Sequence, residues 1–156
     1  MQLLRASDAE FDATLYRTFM VNFEAPCRLT RLAVRHFEKH GGGKILNVAS
    51  RVGFKGESGA ALYAASKAAL INLTRSLAME VANKNIQLFG IAPGWVDTAM
   101  VREGMQERLP GILKDIPAGR MASPDDCASA ANFLLSQEAE YLSGVIIDIN
   151  GASYFH

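Results

Sequence analysis

A tyrosine and a lysine that could exchange a proton stand four residues apart, at Tyr63 and Lys67. In a helix this spacing places both side chains on one face, so that they are neighbours in space. A phenol, with a pKa of about 10, is a poor proton donor at neutral pH, whereas an ammonium group beside it favours the phenolate. The pair therefore predicts a general acid and base. Helices without any catalytic role also carry this spacing by chance, and that alternative stays open at this point.

Two further polar residues, Ser50 and Asn22, could assist such a pair. Ser50 ends the apolar run from Lys44, which predicts a buried strand, and a hydroxyl at a strand's carboxyl end can stabilise a carbonyl oxygen that gains negative charge. Asn22 lies four residues before Pro26, which has no N–H to donate to the Asn22 carbonyl, and a free carbonyl can hold a water. The alternatives are a serine that only caps a loop and an asparagine on a polar helix face.

The elements that must position these residues alternate between helix and strand. Apolar spacing predicts helices over 8–40, 59–83 and 124 to about 137, strands over 44–50, 86–91 and 145–150, and a less regular stretch over 98–120. Pro26 should interrupt the first helix, either as a kink or as a boundary between two helices. The alternation, with strands that are apolar on both faces, predicts an α/β fold with a parallel sheet and helices on both sides.

Composition narrows the class of partner. The 156 residues carry 16 basic and 16 acidic side chains without a dense basic run, which argues against a nucleic-acid or membrane partner. Cys27 and Cys127 lack the spacing of a zinc site, so we expect no metal and reduced cysteines. Without a signal-peptide pattern or an apolar run of about 18 residues, the sequence indicates a cytoplasmic protein.

Several tracts in a fixed order carry a family resemblance. They are NVAS at 47–50, YAASK at 63–67, PGWVDT at 93–98, IPAGR at 116–120, SPDD at 123–126, FLLS at 133–136 and YLSG at 141–144. Together they resemble the second half of short-chain dehydrogenases/reductases, and among these the 3-oxoacyl-acyl-carrier-protein reductases. The resemblance covers nearly the whole chain and implies a Rossmann-type three-layer sandwich.

The resemblance also implies a role for each matching residue. Tyr63 would be the general acid and base, and Lys67 would favour its ionisation and bind the nicotinamide ribose. Ser50 would orient and polarise the substrate carbonyl, and Asn22 would hold a water that links Lys67 to solvent. Other positions expected to contact the nicotinamide end of NAD or NADP are Pro93, Gly94, Val96 and Thr98, and those expected to face the substrate with Ser50 are Trp95 and Met100.

The implied activity is hydride transfer between NAD or NADP and a small-molecule carbonyl or alcohol, such as a 3-oxoacyl thioester, in a homodimer or homotetramer. The family begins with a βαβαβ half whose glycine-rich turn binds the cofactor phosphates, and this chain has no match to that half. We therefore expect residues 1–156 to form a single incomplete Rossmann-type domain. The alternative function is that of a truncated, non-catalytic fragment that acts only in oligomer assembly.

Two glycine patterns depart from the family. Gly53, Gly56 and Gly59 follow a strand with GxxGxxG spacing and are a weak candidate for a substitute phosphate loop. Near the carboxyl end, Asn150, Gly151 and Ala152 stand where relatives usually show Asp-Gly-Gly. We interpret this second departure as mild.

Overall fold

A three-stranded parallel sheet forms the centre of the fold in a computed structural model that describes residues 3–104 and 106–156. The strands lie in the order β1 (Gly43–Val48), β2 (Ile86–Pro93) and β3 (Ile146–Ile149). The register pairs Val48 with Ile91 and Gly90 with Ile146. The predicted parallel sheet is therefore confirmed, with β2 as its central strand.

The helices lie between and around these strands. They are α1 (Asp8–Phe19), α2 (Ala25–His40), α3 (Ala61–Val81), α4 (Ala99–Gly104), α5 (Leu109–Lys114) and α6 (Pro124–Leu135). Short 3-10 turns occur at Leu3–Arg5, Arg51–Gly53, Ala82–Lys84, Gln106–Arg108 and Gln137–Leu142. In the described parts of the chain, no helix has both the length and the apolar character that crossing a membrane requires.

Apolar side chains fill both faces of the sheet. On one face, Ile86 and Leu88 of β2 pack against Ala78 and Val81 of α3, and α2 joins them through Phe37. Alternate residues of a strand point to opposite faces, so Phe89 and Ile91 pack on the other side, against α6. The three-layer sandwich expected from the resemblance is thus observed.

The predicted helix over 8–40 is interrupted by a π-helical turn at Met20–Glu24. In this turn the Ala25 N–H donates to the carbonyl of Met20, five residues back. Pro26 follows directly and has no N–H for the Asn22 carbonyl. The wider turn accommodates this missing donor, so the chain stays helical from α1 through α2. The interruption therefore precedes the proline.

Most element ends lie slightly inside or outside the predicted bounds, for local reasons. β1 ends at Val48 because Ser50 caps the 3-10 turn that follows it. β2 runs on to Pro93 because that residue pairs with Ile149 of β3. α6 ends at Leu135 because Ser136 is extended, with φ −81° and ψ 173°.

In the described chain, β1 has a strand neighbour on one side only, β2. The N–H groups of Gly43 and Ala49 donate towards β2, to the carbonyls of Asn85 and Ile91. Because successive N–H groups of a strand point to opposite sides, those of the even-numbered residues of β1 point away from β2. The side chain of Val48 is 52% exposed. β1 is thus an edge strand whose outward N–H groups have no strand partner among the described residues.

Candidate active site

A cavity of about 730 Å³ opens beyond the carboxyl ends of β1 and β2. Three stretches line it: the segment after β1, the first turns of α3 and the segment after β2. The sequence-predicted residues among its lining are Ser50, Tyr63, Lys67, Pro93, Gly94, Trp95, Val96 and Thr98. Residues that are far apart in the chain are therefore brought to one site, at the end of the sheet where open α/β folds bind ligands.

Tyr63 and Lys67 lie one helical turn apart at the start of α3. The Lys67 Nζ is 5.8 Å from the centroid of the Tyr63 ring and donates a hydrogen bond of 2.9 Å to the carbonyl of Val48. Burial lowers the pKa of the Lys67 ammonium below its ordinary value, because a charge is costly to remove from water. Tyr63 is 40% exposed and so remains accessible from the cavity. The pair is therefore held together, with its lysine anchored to the edge of the sheet.

Ser50 lies just beyond β1, in an extended conformation with φ −166°. Its Oγ accepts a hydrogen bond of 3.5 Å from the N–H of Val52 and donates one of 3.4 Å to the carbonyl of Pro93. The capping role that we considered as an alternative is thus observed. Both contacts are long for hydrogen bonds of these types and hence weak, so the hydroxyl can turn to another acceptor in the cavity.

The segment after β2 is held by backbone contacts. The N–H of Gly94 donates to the carbonyl of Ile149 at 2.9 Å, and a Cβ at Gly94 would lie 2.9 Å from the Cβ of Asn150. Glycine is therefore required here by the close approach of Asn150, the residue that follows β3. Two residues further on, Val96 forms an isolated parallel bridge with Ala122.

Two predicted site residues are not placed in the cavity wall. Asn22 lies half-buried in the π-helical turn, which packs against α3 but does not line the cavity. The backbone of Met100 belongs to α4, and its side chain lies outside the part of the chain that is described. The roles expected for both remain predictions.

The sequence reasoning missed three charged residues of the cavity wall, Arg51, Glu57 and Arg108. The signal for Arg51 was its place directly after Ser50, where a charge stands between the apolar strand and Val52. No sequence pattern distinguished Glu57 or Arg108 from ordinary surface residues. The described lining therefore has cationic groups at Arg51, Lys67 and Arg108, against the carboxylate of Glu57.

The glycines at 53, 56 and 59 have different surroundings, and the hypothesis of a substitute phosphate loop remains a prediction. A Cβ at Gly53 would lie 2.6 Å from the Cδ1 of Ile71, so this glycine allows the 3-10 turn to pack on α3. A Cβ at Gly56 or Gly59 would meet nothing within 4 Å. In the described residues, no group of three or more His, Cys, Asp and Glu side chains could hold a metal ion.

Comparisons with known sequences identify reductases as relatives. A family profile described as Enoyl-(Acyl carrier protein) reductase matches residues 2–152. The 3-oxoacyl-[acyl-carrier-protein] reductase FabG of Salmonella typhimurium is 38% identical over 97% of this chain and 61% of its own length. FabG of Escherichia coli is 37% identical over the same shares. The chain thus spans about three-fifths of the length of these curated relatives.

Comparisons with solved structures identify dehydrogenases with bound NADP as neighbours. A Beutenbergia cavernae protein assigned as an NAD(P) dependent gluconate 5-dehydrogenase, with NADP bound at low occupancy, superposes with a TM-score of 0.89 and 34% identity, over 98% of this chain and 61% of its own. An Agrobacterium tumefaciens protein assigned as a 2-deoxy-d-gluconate 3-dehydrogenase, with bound NADP, gives a TM-score of 0.88 and 32% identity, over 98% and 62%.

The match of the family profile extends over almost the whole chain. The superposition on both solved structures covers the strands and helices that build the cavity. On these grounds, the chain belongs to the short-chain dehydrogenase/reductase family, with a Rossmann-type α/β fold.

Proposed function

We propose that these residues supply the catalytic part of an NAD(P)-dependent oxidoreductase that interconverts a carbonyl and an alcohol. The observation that carries this proposal is the meeting of Tyr63, Lys67 and Ser50 in the wall of one cavity. Membership of the family and the names of the reductase relatives support it. A 3-oxoacyl thioester is the substrate that the curated relatives suggest.

The cavity fits the nicotinamide end of such a cofactor. Its lining combines apolar walls from Pro93 and Val96 with a hydroxyl from Thr98 and the ammonium of Lys67. A flat ring can rest on the apolar part while ribose hydroxyls bind the polar groups. The bound nicotinamide supplies or accepts the hydride. Whether the cofactor is NAD or NADP depends on contacts with the adenosine end.

The chain's own groups would handle the proton. Tyr63 would donate its hydroxyl proton to the carbonyl oxygen during reduction and recover it from solvent. The positive charge of Lys67, fixed beside the ring by the Val48 carbonyl, would favour the phenolate that results. Ser50 would donate a hydrogen bond to the same carbonyl oxygen as its negative charge grows. Asn22 would hold a water on the path by which Lys67 exchanges protons with solvent.

We also propose that the protein is a cytoplasmic homo-oligomer. The support for an oligomer comes from apolar side chains that remain exposed on α2, such as Leu29 and Leu32. If the fragment served assembly alone, this surface would be its functional part. Catalysis and assembly are separable by experiment, because none of the cavity residues belongs to α2.

The test measures NADPH oxidation with acetoacetyl-CoA by the 156-residue chain and by the same chain preceded by the βαβαβ half of a FabG relative. Hydride transfer requires close positioning of both reactants, and the phosphates bind in that other half. We expect negligible activity from the first protein and activity from the second. In the extended protein, Tyr63→Phe should reduce kcat by about 10²- to 10⁴-fold, because it removes only the proton donor.

Tyr141→Phe is the matched control, since Tyr141 is fully exposed and lies outside the cavity. It should leave the activity of the extended protein unchanged. Full activity of the extended Tyr63→Phe protein would exclude the proposed proton donor. Tight NADPH binding by the 156-residue chain alone would show that the cofactor site is already complete.

A further inference from the structure

Arg51 is a buried arginine among the residues that line the cavity, and the proposed proton chemistry does not use it. Its side chain is only 8% exposed, although it lines the cavity directly after Ser50. Arginine is almost never buried without a partner, because its charge loses hydration. The N–H groups of Arg51 that have no partner among the described residues therefore indicate what the site can bind.

The contacts of Arg51 within the described residues leave donors unused. Its Nη1 donates a hydrogen bond of 2.8 Å to the Oγ of Ser153, and its Nη2 lies 3.5 Å from the Oε2 of Glu57. The second distance is longer than the roughly 2.7–2.9 Å of a charge-assisted hydrogen bond. A guanidinium has several further N–H groups, which find no hydrogen-bond acceptor among the described residues. An acceptor that enters the cavity can bind them.

The remaining charges of the wall favour an anion as that acceptor. Lys67 and Arg108 line the same cavity, and Glu57 is the carboxylate among the described lining residues. A concave surface with an excess of one charge attracts ligands of the opposite sign. Arg108 has an interaction of its own in the structure, and Lys67 donates to the Val48 carbonyl and is already proposed to bind the cofactor ribose. Arg51 is therefore the group best placed to bind the anion.

We propose that Arg51 binds a carboxylate of the substrate, so that the site prefers an oxo acid or hydroxy acid. The proposal rests on the proposed oxidoreductase function and replaces the thioester that the curated relatives suggest with a free carboxylate as the group that the site recognises. The planar guanidinium matches a planar carboxylate with two parallel hydrogen bonds. It lies 6.0 Å from the centre of the Trp95 ring, which is expected to face the substrate. A carboxylate bound here would share the cavity with Ser50, which is expected to polarise the substrate carbonyl.

The first experiment compares acetoacetate with methyl acetoacetate, which has the same reacting carbonyl but no charge. Both are titrated into the ¹⁵N-labelled 156-residue chain without cofactor, and the Nε–Hε signal of Arg51 is followed by NMR. Acetoacetate should shift this signal in a saturable manner, and the ester should not. Equal shifts with both compounds would overturn the proposal. A stronger response to inorganic phosphate would assign Arg51 to a phosphate of the cofactor instead.

The second experiment uses variants that separate binding from a purely structural role. Arg51→Gln should weaken acetoacetate binding roughly tenfold to a hundredfold, the range for charge-assisted hydrogen bonds, and leave the weak binding of the ester unchanged. Arg51→Lys keeps the charge without the planar guanidinium. It should therefore recover part of the acetoacetate binding that Arg51→Gln loses. Glu57→Gln should tighten acetoacetate binding, because it removes the carboxylate that competes for the guanidinium. If Arg51 only stabilised the cavity wall through its contact with Glu57, Glu57→Gln would weaken acetoacetate binding.

Ser153→Ala is the matched structural control. It removes the hydrogen bond from Arg51 to the carboxyl-terminal segment but keeps the guanidinium in the cavity. Acetoacetate binding should persist in this variant, and its loss would make Arg51 a structural residue. These measurements need no turnover, so the carboxylate site and the oxidoreductase function can fail independently. An extended protein that binds acetoacetate through Arg51 but transfers no hydride would contradict the function alone.

Discussion

At the scale of single residues, Lys67 carries a charge that is partly removed from water. Burial lowers the pKa of its ammonium below 10.5, and its Nζ donates a hydrogen bond to the Val48 carbonyl. Between the lowered pKa and 10.5, the unfolded chain binds more protons at this residue than the folded chain does. The free energy of unfolding therefore rises with pH across this window.

Lys67→Met removes this titration, so it should alter the dependence of stability on pH. We expect the wild type to gain stability relative to the variant as the pH rises towards 10.5. Urea unfolding of both proteins at a series of pH values measures the difference. Lys55→Met, at an exposed position, controls for the loss of a positive charge. A difference that stays constant with pH would contradict the burial of the Lys67 charge.

Ala152 is a second residue with a measurable cost. It adopts φ +64°, a conformation that is unfavourable for residues with a Cβ and easy for glycine. Ala152→Gly should therefore raise the free energy of unfolding by about 0.5–1 kcal/mol. Ala82→Gly is the control, since Ala82 has φ −53° at the end of α3. This variant should lower the free energy of unfolding by about 0.5–1 kcal/mol. The substitution of glycine by alanine, interpreted as mild from the sequence, thus has a physical consequence.

At the scale of elements, the edge of β1 gives an alternating prediction. The N–H groups of Leu46 and Val48 point away from β2, whereas those of Ile45 and Asn47 point towards it. In a monomer, Leu46 and Val48 should exchange their amide hydrogens fast, and Ile45 and Asn47 slowly. Hydrogen exchange followed by NMR resolves these four residues. Protection of all four in a verified monomer would contradict a free edge.

The strands and most helices could be predicted because apolar periodicity reports directly on which faces are buried. The π-helical turn could not, although Pro26 indicated a missing donor. Where a helix absorbs such a defect depends on its packing, and here Met20–Glu24 packs against α3.

The cavity residues matched to the family were brought together as expected, because they follow neighbouring parallel strands. Arg51 was missed because the burial of a charge depends on partners distant in sequence, such as Ser153.

At the scale of the whole molecule, apolar side chains lie exposed in several regions of the described chain. One is on α2, where Leu29 and Leu32 are 67% and 58% exposed. Another is at the end of α6 and in the 3-10 turn that follows it, where the exposed residues are Phe133, Leu135, Tyr141 and Leu142. Groups of this kind on a protein surface are typical of contacts with other chains.

We expect the 156-residue chain to sediment as a dimer or larger assembly at micromolar concentration. Replacing both Leu29 and Leu32 with Glu should shift the equilibrium towards monomer, because two charges would have to be buried in the contact. Analytical ultracentrifugation measures both proteins. Lys39→Glu, at an exposed position near the end of the same helix, controls for the addition of negative charge. A wild-type chain that is monomeric at this concentration would exclude the proposed assembly.

The parallel sheet also determines how the chain must fold. β1 and β2 are neighbours in the sheet but are separated in sequence by all of α3, and β2 and β3 by α4, α5 and α6. No hairpin can therefore start the sheet, and each pairing must close a long loop before it yields any stabilisation. Until then the apolar strands remain open to other chains. Refolding should thus be slower than for a helical bundle of this length, and its yield should fall as protein concentration rises.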